Sequence, residues 1–378
     1  MPACWVEIDL SAIRSNYRAL SALVGETVDL MCVVKANAYG HGAIEVSRAL
    51  ESEGAPYLAT TRVEEAVPLR EAGIKTPILL LSPAPQEDVA ALVEHDLTAC
   101  VSGHEDAEWL SEEAVRQNKT ARAQMKINTG MGRLGVEPHE AAAAAQHIQS
   151  QPNVQLEAAF THFARASGSQ PENSEIHAQF MLFQPLIHQI ARAANIDGKG
   201  FHCANSATLL RFPSMRLSRV RPGTVLYGQY PTPLCAETGK VEGLELKEGF
   251  AVKARIVAIK YLQPGQCVGY GGEWQVKKPA RIATIAIGYA DGLNMEPHAR
   301  QEAPTAVFAR AAKQVAKPGQ GREVKVRGQS ATIVGRIAMQ QCSIDITHLP
   351  EVSLGDEVTV PMRRTSAGTH LPRVFSGE

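Results

Sequence analysis

Lys35 stands at the end of an apolar run and is well placed to do chemistry. Residues 30–34, Leu-Met-Cys-Val-Val, predict a buried strand, and the lysine follows them directly. An amine held at the mouth of an apolar cavity loses solvation of its charged form. Its pKa therefore falls, and its lone pair can form a Schiff base with an aldehyde. Pyridoxal phosphate is the usual aldehyde partner of such a lysine.

The residues after Lys35 support this interpretation. For an isolated Val-Lys pair, the default would be a lysine that ends a strand and points to water. Here residues 36–42 supply Asn, Tyr, His and two glycines, which predict a compact polar turn.

Short apolar runs alternate with longer amphipathic stretches between about residues 28 and 228. This alternation is typical of repeated βα units around a parallel sheet. Eight such units predict a (β/α)8 TIM barrel in residues 1–232. The predicted strands are 30–36, 56–60, 77–82, 97–102, 123–128, 156–163, 200–205 and 217–223, and the predicted helices include 62–72, 105–116, 137–149 and 174–194.

The pattern changes after about Pro231, where no long helical stretch is evident. Alternating or β-branched runs predict a second, mostly β domain in residues 233–378. Residues 301–321, with repeated Ala and Lys, predict a solvent-exposed insertion. The predicted strands are 251–260, 281–287, 323–326, 332–337 and 357–360.

Charge and hydropathy exclude several classes of partner. The 378 residues carry 38 basic and 39 acidic side chains without a basic block, which argues against nucleic acid and anionic membranes. No apolar run approaches the ~20 residues that span a bilayer.

The cysteines and the N-terminal residues indicate the compartment. The first nine residues have no basic or apolar signal region, and the seven cysteines form no Cys-x-x-Cys pair. We therefore expect free thiols, a cytoplasmic protein and no metal site.

Other polar residues follow predicted strands in the same way as Lys35. His162 lies at the end of the sixth strand, Asn205 and Ser206 follow the seventh, and residues 221–224 follow the eighth. Catalytic residues in barrels gather at the carboxyl ends of the strands, and the loops after strands seven and eight commonly hold a phosphate. A lone His or an Arg-Pro-Gly turn is often only structural, but their shared position favours one site.

Residues from these loops would suit a phosphate and a pyridine ring. The Ser206 hydroxyl and the Gly223 and Thr224 amides would surround a phosphate, and Tyr39 could add a hydroxyl. Arg221 keeps its proton, so a ring nitrogen facing it would stay unprotonated. Such a ring is a weaker electron sink and less prone to transamination.

Lys126 and Arg133 place two cations seven residues apart across a glycine-containing turn after the fifth strand. On charge alone, a solvated basic loop is the default interpretation.

Several strings resemble segments of alanine racemases. Residues 33–42, Val-Val-Lys-Ala-Asn-Ala-Tyr-Gly-His-Gly, resemble that family's cofactor-lysine segment. Residues 126–133 resemble its Lys-x-Asp-Thr-Gly-Met-Gly-Arg segment, with Asn128 where Asp is usual. The match extends in order from residues 6–9 through 335–339 to 354–358.

The resemblance implies a pyridoxal phosphate-dependent enzyme that interconverts L-alanine and D-alanine and works as a homodimer. It would supply D-alanine for peptidoglycan. It implies that Lys126 is often carbamylated and supports Arg133, which binds near the cofactor's phenolic oxygen and the substrate carboxylate. Tyr289 would lie at the entrance, and Met339 would line the pocket.

Racemisation needs two acid/base groups, one on each face of Cα. Lys35 would serve one face, and the resemblance gives the other to Tyr270 of the second subunit, with His162 orienting it. An unperturbed tyrosine has a pKa of ~10, which suits a base at neutral pH only when cations lower it.

Two departures from the family keep other activities open. Gln340 follows Met339 where Asp is usual, and the segment after Val360 is short, with Thr369 near the place of a phosphate-side tyrosine. The missing tyrosine would leave a roomier site that also accepts serine. A decarboxylase of the same fold lacks support, because its Gly-Gly-Gly and Glu-Pro-Gly-Arg strings are absent. A non-catalytic pyridoxal phosphate carrier remains an alternative, although such carriers tend to consist of the barrel alone.

Overall fold

The computed structural model describes residues 2–166, 174–295 and 323–377, which divide into two compact units. The first, called the barrel unit below, contains Leu10–Gly249. The second, called the β unit, contains Phe250–Ser376 together with Met1–Asp9, which include strand β1 (Cys4–Asp9). The division therefore falls after residue 249, whereas the sequence predicted it after residue 232.

Eight parallel strands form the barrel unit, and each overlaps one of the eight predicted runs. They pair in the orders β4-β3-β2-β9-β8 and β5-β6-β7, and the bridges Leu79↔Thr98 and Phe160↔His202 join these two groups into a closed ring. The predicted (β/α)8 barrel is confirmed. The strands are β2 (Asp29–Val33), β3 (Tyr57–Thr60), β4 (Ile78–Leu80), β5 (Ala99–Val101), β6 (Ala121–Lys126), β7 (Val154–Phe160), β8 (Ala204–Asn205) and β9 (Arg219–Arg221).

Helices follow the strands because the intervening segments have one apolar face. In the first of them, Leu10, Ile13, Tyr17, Leu20 and Val24 are buried at helical spacing. The predicted helix 174–194 is found with these bounds. The helices are α1 (Leu10–Val24), α3 (Ala43–Ser52), α4 (Val63–Glu71), α5 (Val89–Glu94), α6 (His104–Arg116), α7 (Ala141–Ser150), α8 (Ser174–Ala194), α9 (Ser206–Arg211) and α10 (Pro233–Val241), and α2 (Lys35–Tyr39) is a short left-handed turn.

The interior of the barrel is filled by side chains that alternate along the strands. Met31 and Val33 of β2 and Tyr57 and Ala59 of β3 lie two residues apart and therefore point to the same side. With Leu79, Cys100 and Phe160 they form one buried cluster. Its apolar contacts fix the strands on which the functional residues stand.

The β unit is mostly β-sheet, as predicted. Strands β10-β13-β16-β15-β14-β17 close into a ring through the pairing of β13 with β10, and β1 and β18 extend the sheet from β10. The predicted insertion at residues 301–321 lies outside the described residues. The strands are β10 (Phe250–Leu262), β11 (Cys267–Val268), β12 (Trp274–Gln275), β13 (Ala280–Ile285), β14 (Glu323–Val326), β15 (Gln329–Val334), β16 (Cys342–Asp345), β17 (Glu357–Val360) and β18 (Arg373–Ser376).

Residues 233–249 belong to the barrel unit because they pack against it and form buried hydrogen bonds with it. Helix α10 packs against α9. The Asn16 side-chain amide of α1 donates to the carbonyl oxygens of Leu226 and Lys247 at 3.0 and 2.8 Å, and its oxygen accepts from the Lys247 N–H at 2.7 Å. Breaking this link would leave buried polar groups unpaired.

No helix in the described parts of the chain is long and apolar enough to cross a membrane.

Gly228 and Gly54 provide a matched test of packing beside Lys247. Both have left-handed backbones, with φ of +81° and +80°, but a Cβ at Gly228 would overlap the Lys247 carbonyl, whereas a Cβ at Gly54 would meet nothing within 4 Å. Gly54→Ala should cost only the backbone penalty of about 1–2 kcal/mol. Gly228→Ala should lower the free energy of unfolding by clearly more, measured by urea denaturation. Equal losses would contradict the close packing.

Candidate active site

A cavity of about 470 Å³ lies where the barrel strands end. Val33 and Phe160 belong both to its lining and to the buried apolar cluster, so the cluster contacts the cavity through these two side chains. All the barrel residues that the sequence singled out line it. They are Lys35, Tyr39, Lys126, Arg133, His162, Asn205, Ser206, Arg221, Gly223 and Thr224.

Lys35 begins a turn with an unusual backbone. The four residues 36–39 have φ between +52° and +54°, which is left-handed, and none of them is glycine. Such a conformation costs about 1–2 kcal/mol per residue and persists only where surrounding contacts enforce it. The turn was predicted as polar and compact, but its handedness was not.

Side chains around the turn hold it in place. The Ala36 N–H donates to Glu65 Oε1 at 2.7 Å, and the Asn37 side-chain oxygen accepts from the Ala43 N–H at 2.8 Å. The His41 ring packs on buried Tyr227, whose hydroxyl donates to the Val33 carbonyl. Sequence reasoning missed Glu65, although a carboxylate in the first turn of the helix after β3 was a usable signal.

The surroundings of Lys35 favour a neutral amine. Burial lowers the pKa of Lys35, and the charges of Arg133 and Arg221 lower it further, while Glu65 partly opposes them. A larger fraction of the amine is therefore unprotonated than in water, which is what attack on an aldehyde requires.

Arg221 is buried at the end of β9 and is held by neutral acceptors. One guanidinium nitrogen donates to the Thr161 and Cys203 carbonyl oxygens at 2.7 and 3.2 Å, and the other donates to His202 Nδ1. Burial lowers the pKa of Arg221 to about 10. The guanidinium therefore remains protonated at neutral pH.

His162 is kept neutral by the same environment. Its Nδ1 lies 3.4 Å from a nitrogen of Arg221. Burial, followed by the charges of Arg221 and Lys126, lowers the pKa of His162 to about 3.

The loops after β8 and β9 form a cradle that fits a small anion. The Gly223 N–H donates to Ser206 Oγ at 2.9 Å, and the Tyr39 hydroxyl lies only 2.5 Å from where a Cβ at Gly223 would stand. Only glycine permits this approach. Asn205 lines the cavity but also caps α9, because its side-chain oxygen accepts from the Ala207 and Thr208 N–H groups.

Lys126 and Arg133 flank a loop whose two ends differ, because Lys126 is buried and Arg133 is exposed. The Lys126 ammonium is buried and donates to the Leu81 carbonyl at 2.7 Å, and burial with the charges of Arg133 and Arg221 lowers its pKa. Asn128 Oδ1 accepts from the Gly132 N–H at 2.9 Å. This amide organises the loop through an oxygen, as an aspartate would.

The charged side chains among the described lining residues of the cavity are all basic. Lys35, Lys126, Arg133 and Arg221 line it, and none of the described residues that line it is acidic. Like charges at short range are costly in a partly buried site. The arrangement therefore fits anionic ligands, and the cradle at Gly223 fits a phosphate.

The remaining predicted residues lie in the β unit, on loops that contact one another. The Tyr289 N–H donates to the Ala338 carbonyl at 3.1 Å, beside Met339, and a Cβ at Gly335 would lie 2.6 Å from the Val268 carbonyl, two residues before Tyr270. The side chains of Tyr270, Tyr289 and Met339 are 70%, 49% and 58% exposed. They are thus brought together with one another, but not among the residues that line the cavity.

Two family models match most of the chain. The model described as "Alanine racemase, N-terminal domain" matches residues 8–231, and the model described as "Alanine racemase, C-terminal domain" matches residues 250–370. The chain belongs to the alanine racemase family. The gap between the two matches ends where the β unit begins.

Named relatives of this family resemble the chain over nearly its full length. The alanine racemase of Desulfovibrio desulfuricans is 37% identical over 94% of this chain and 88% of its own. Alanine racemase 1 of Caldanaerobacter subterraneus is 36% identical over 94% and 84%. Among solved structures, the alanine racemase of Clostridium difficile 630 matches with a TM-score of 0.86 and 28% identity over 100% of this chain and 96% of its own.

Two departures from the family pattern, Gln340 and Thr369, are not among the residues that line the cavity. Gln340 is exposed in the β unit, next to Met339. Thr369 is exposed there as well, and its backbone carbonyl accepts from Arg373 at 3.0 Å.

The low pKa of His162 predicts a loss of stability in acid. Because the folded pKa lies below the unfolded value of about 6.5, the stabilisation is complete above pH 6.5 and is lost as the pH falls toward 3. At pH 5 the loss should be about 2 kcal/mol relative to pH 8.

His162→Asn should reduce this loss, while replacement of the exposed His139 by Asn should not. Urea unfolding of the three proteins at pH 8 and pH 5 measures the differences. The same acid loss in His162→Asn as in the parent would contradict a neutral His162.

Proposed function

We propose that this chain is a pyridoxal 5'-phosphate-dependent alanine racemase that interconverts L-alanine and D-alanine. The observation that carries the proposal is the cavity lined by four cations and no carboxylate among its described residues. A phosphate and an amino-acid carboxylate are anions that would balance these charges. The relatives that match over most of the chain are named alanine racemases.

The cradle around Gly223 would hold the phosphate. Tyr39, Ser206, Gly223 and Thr224 all line the cavity. The Gly223 N–H donates to Ser206 Oγ, which leaves the serine hydroxyl free to donate to a phosphate. Asn205 supports this loop by capping α9.

Lys35 and Arg221 would hold the two reactive ends of the ring. The amine of Lys35 would bond the aldehyde carbon with release of water, and Arg221 would donate to the ring nitrogen. When bound, the cofactor would withdraw electrons from the substrate and acidify its Cα proton. Because Arg221 keeps its own proton at neutral pH, it would leave the ring nitrogen unprotonated, which would restrain side reactions.

Two residues would exchange protons with the two faces of Cα. The Lys35 amine serves one face, because its pKa is lowered and it can alternate between neutral and charged forms. The Tyr270 hydroxyl, exposed in the β unit, serves the other. Arg133 would bind the substrate carboxylate, His162 would orient Tyr270, and Met339 and Tyr289 would line the approach.

We propose that the working unit is a homodimer in which Tyr270 comes from the second copy. The cavity is lined by described residues of the barrel unit alone, whereas Tyr270 belongs to the β unit. A shared site would explain why this tyrosine is exposed in the single chain.

We also propose that Lys126 carries a carboxyl group. Its amine, with a lowered pKa, would add to carbon dioxide, forming a C–N bond and releasing a proton. The resulting carbamate would replace one cation by an anion within the field of Arg133.

The enzyme would work in the cytoplasm, and the D-alanine that it forms would be used for peptidoglycan. All seven cysteines are free thiols, which fits a reducing compartment.

Incubation with L-alanine in deuterium oxide tests the activity. We expect D-alanine with deuterium at Cα, since both bases exchange their protons with solvent. Lys35→Ala should lower the rate by roughly 10²- to 10⁴-fold, as expected for loss of a catalytic acid/base. The exposed Lys75→Ala variant should match the parent. Racemisation by Lys35→Ala at the rate of the parent, or D-alanine without deuterium, would contradict the proposal. The intact mass of the same sample reports whether Lys126 carries a carboxyl group.

Mixing two inactive variants tests the shared site. Lys35→Ala and Tyr270→Phe should complement, because one site of each mixed dimer regains both residues. Random exchange should restore about a quarter of the parent activity. As a control, Lys35→Ala mixed with the Lys35→Ala/Tyr270→Phe double variant should stay inactive. No recovery despite subunit exchange, shown by native mass spectrometry, would contradict a composite site.

A further inference from the structure

A one-directional chain of hydrogen bonds leads from Arg221 into the interior of the barrel. Arg221 donates to His202 Nδ1, and His202 Nε2 lies 2.8 Å from Gln124 Oε1. Gln124 Nε2 donates in turn to Glu157 Oε2 at 3.2 Å, and the Tyr57 hydroxyl donates to the same oxygen at 2.7 Å. The chain therefore begins at a cation and ends at a carboxylate, whose other oxygen, Oε1, lies 3.9 Å from Arg122 Nε.

Only one arrangement of hydrogens satisfies this chain. A guanidinium can only donate and a carboxylate can only accept. His202 must therefore accept at Nδ1 and donate from Nε2, and Gln124 must turn its oxygen to His202 and its nitrogen to Glu157. Each donor along the chain points toward Glu157, so the bond dipoles align and strengthen one another.

The two middle members cannot exchange these bonds for water. The side chains of His202 and Gln124 are 0% exposed. The His202 ring also stacks on Phe160, with centroids 5.0 Å apart and planes within 6°. Burial and the charge of Arg221 hold the pKa of His202 far below its usual value, so the imidazole stays neutral.

Arg221 is a buried charge whose direct hydrogen-bond partners are neutral. Its hydrogen-bond acceptors among the described residues are carbonyl oxygens and imidazole nitrogens, and burial opposes its charge. A buried charge is tolerated when it is compensated. Glu157 is the carboxylate to which its hydrogen bonds lead.

We propose that Glu157 is the remote counter-charge of Arg221, and that Gln124 and His202 transmit its effect as positioning residues. Through Gln124, the carboxylate makes His202 Nδ1 a stronger acceptor. The stronger hydrogen bond to His202 holds the Arg221 guanidinium in place and weakens its hydrogen-bond donation into the cavity. This inference rests on the proposed function, since the group that Arg221 faces there is the cofactor ring. Neutralising Glu157 should make Arg221 a stronger donor to the ring nitrogen and should increase transamination relative to racemisation.

Three variants separate this role from simple packing. Glu157→Gln removes the charge but keeps the shape, and it should fold because the Glu157 side chain is 22% exposed. Gln124→Leu leaves the charge but breaks the chain. Tyr57→Phe, the control, removes a hydroxyl from the same carboxylate oxygen and leaves the chain intact.

The first readout is nitrogen NMR of ¹⁵N-histidine in the full-length protein as purified, with His202 assigned from a His202→Gln spectrum. The parent and Tyr57→Phe should show His202 protonated at Nε2 only. Glu157→Gln and Gln124→Leu should shift both His202 nitrogens. This spectrum does not depend on turnover, so it can be interpreted even when the proposed activity fails.

The second readout is the pyruvate formed per alanine racemised by the loaded enzyme. It should rise roughly three- to tenfold in Glu157→Gln and Gln124→Leu, the effect of weakening about one hydrogen bond, and should not change in Tyr57→Phe. Unchanged His202 nitrogens in Glu157→Gln would overturn the proposal. So would a Tyr57→Phe variant that shifts them as much as Glu157→Gln, because packing alone would then explain the effect.

Discussion

The mutual repulsion of four cations in one cavity is the constraint on which the rest of the site depends. Lys35, Lys126, Arg133 and Arg221 are held there without an acidic neighbour among the described lining residues. The fold compensates with fixed neutral acceptors, such as the carbonyl oxygens of Leu81 and Thr161. Such a site is suited to anions, and burial together with the neighbouring positive charges lowers the pKa of Lys35 and of Lys126.

Parallel strands satisfy this constraint because they bring distant residues to one edge. Lys126, Asn205 and Arg221 are the last residues of β6, β8 and β9, and each lines the cavity. This regularity explains why the barrel, and the shared position of Lys35, His162, Asn205 and Arg221, could be predicted from the sequence, whereas Lys126 and Arg133 were assigned to the site only through the family resemblance. A polar residue directly after an apolar run is a signal that can be read locally. The parallel arrangement of the strands then brings such residues to the same edge of the barrel.

What the sequence did not reveal depends on contacts between segments far apart in the chain. His202 and Gln124 stand inside strand-like runs and resemble core polar residues, although Gln124 lies two residues before Lys126 on the same face of β6. Glu65 stabilises the turn after Lys35 by accepting a hydrogen bond from the Ala36 N–H, a contact between separate segments of the chain. The boundary after residue 249 depends on Asn16, more than 200 positions earlier, so composition could not locate it.

The left-handed turn after Lys35 has a consequence for how the protein acquires its reactive amine. An isolated peptide avoids this conformation, and the groups that enforce it, Glu65 and Tyr227, come from other parts of the chain. The turn therefore forms only once those parts have assembled. A nascent or partly unfolded chain presents Lys35 as an ordinary solvated lysine, so the aldehyde-binding role proposed for it would exist only in the finished barrel. Folding would thus act as a check on cofactor loading.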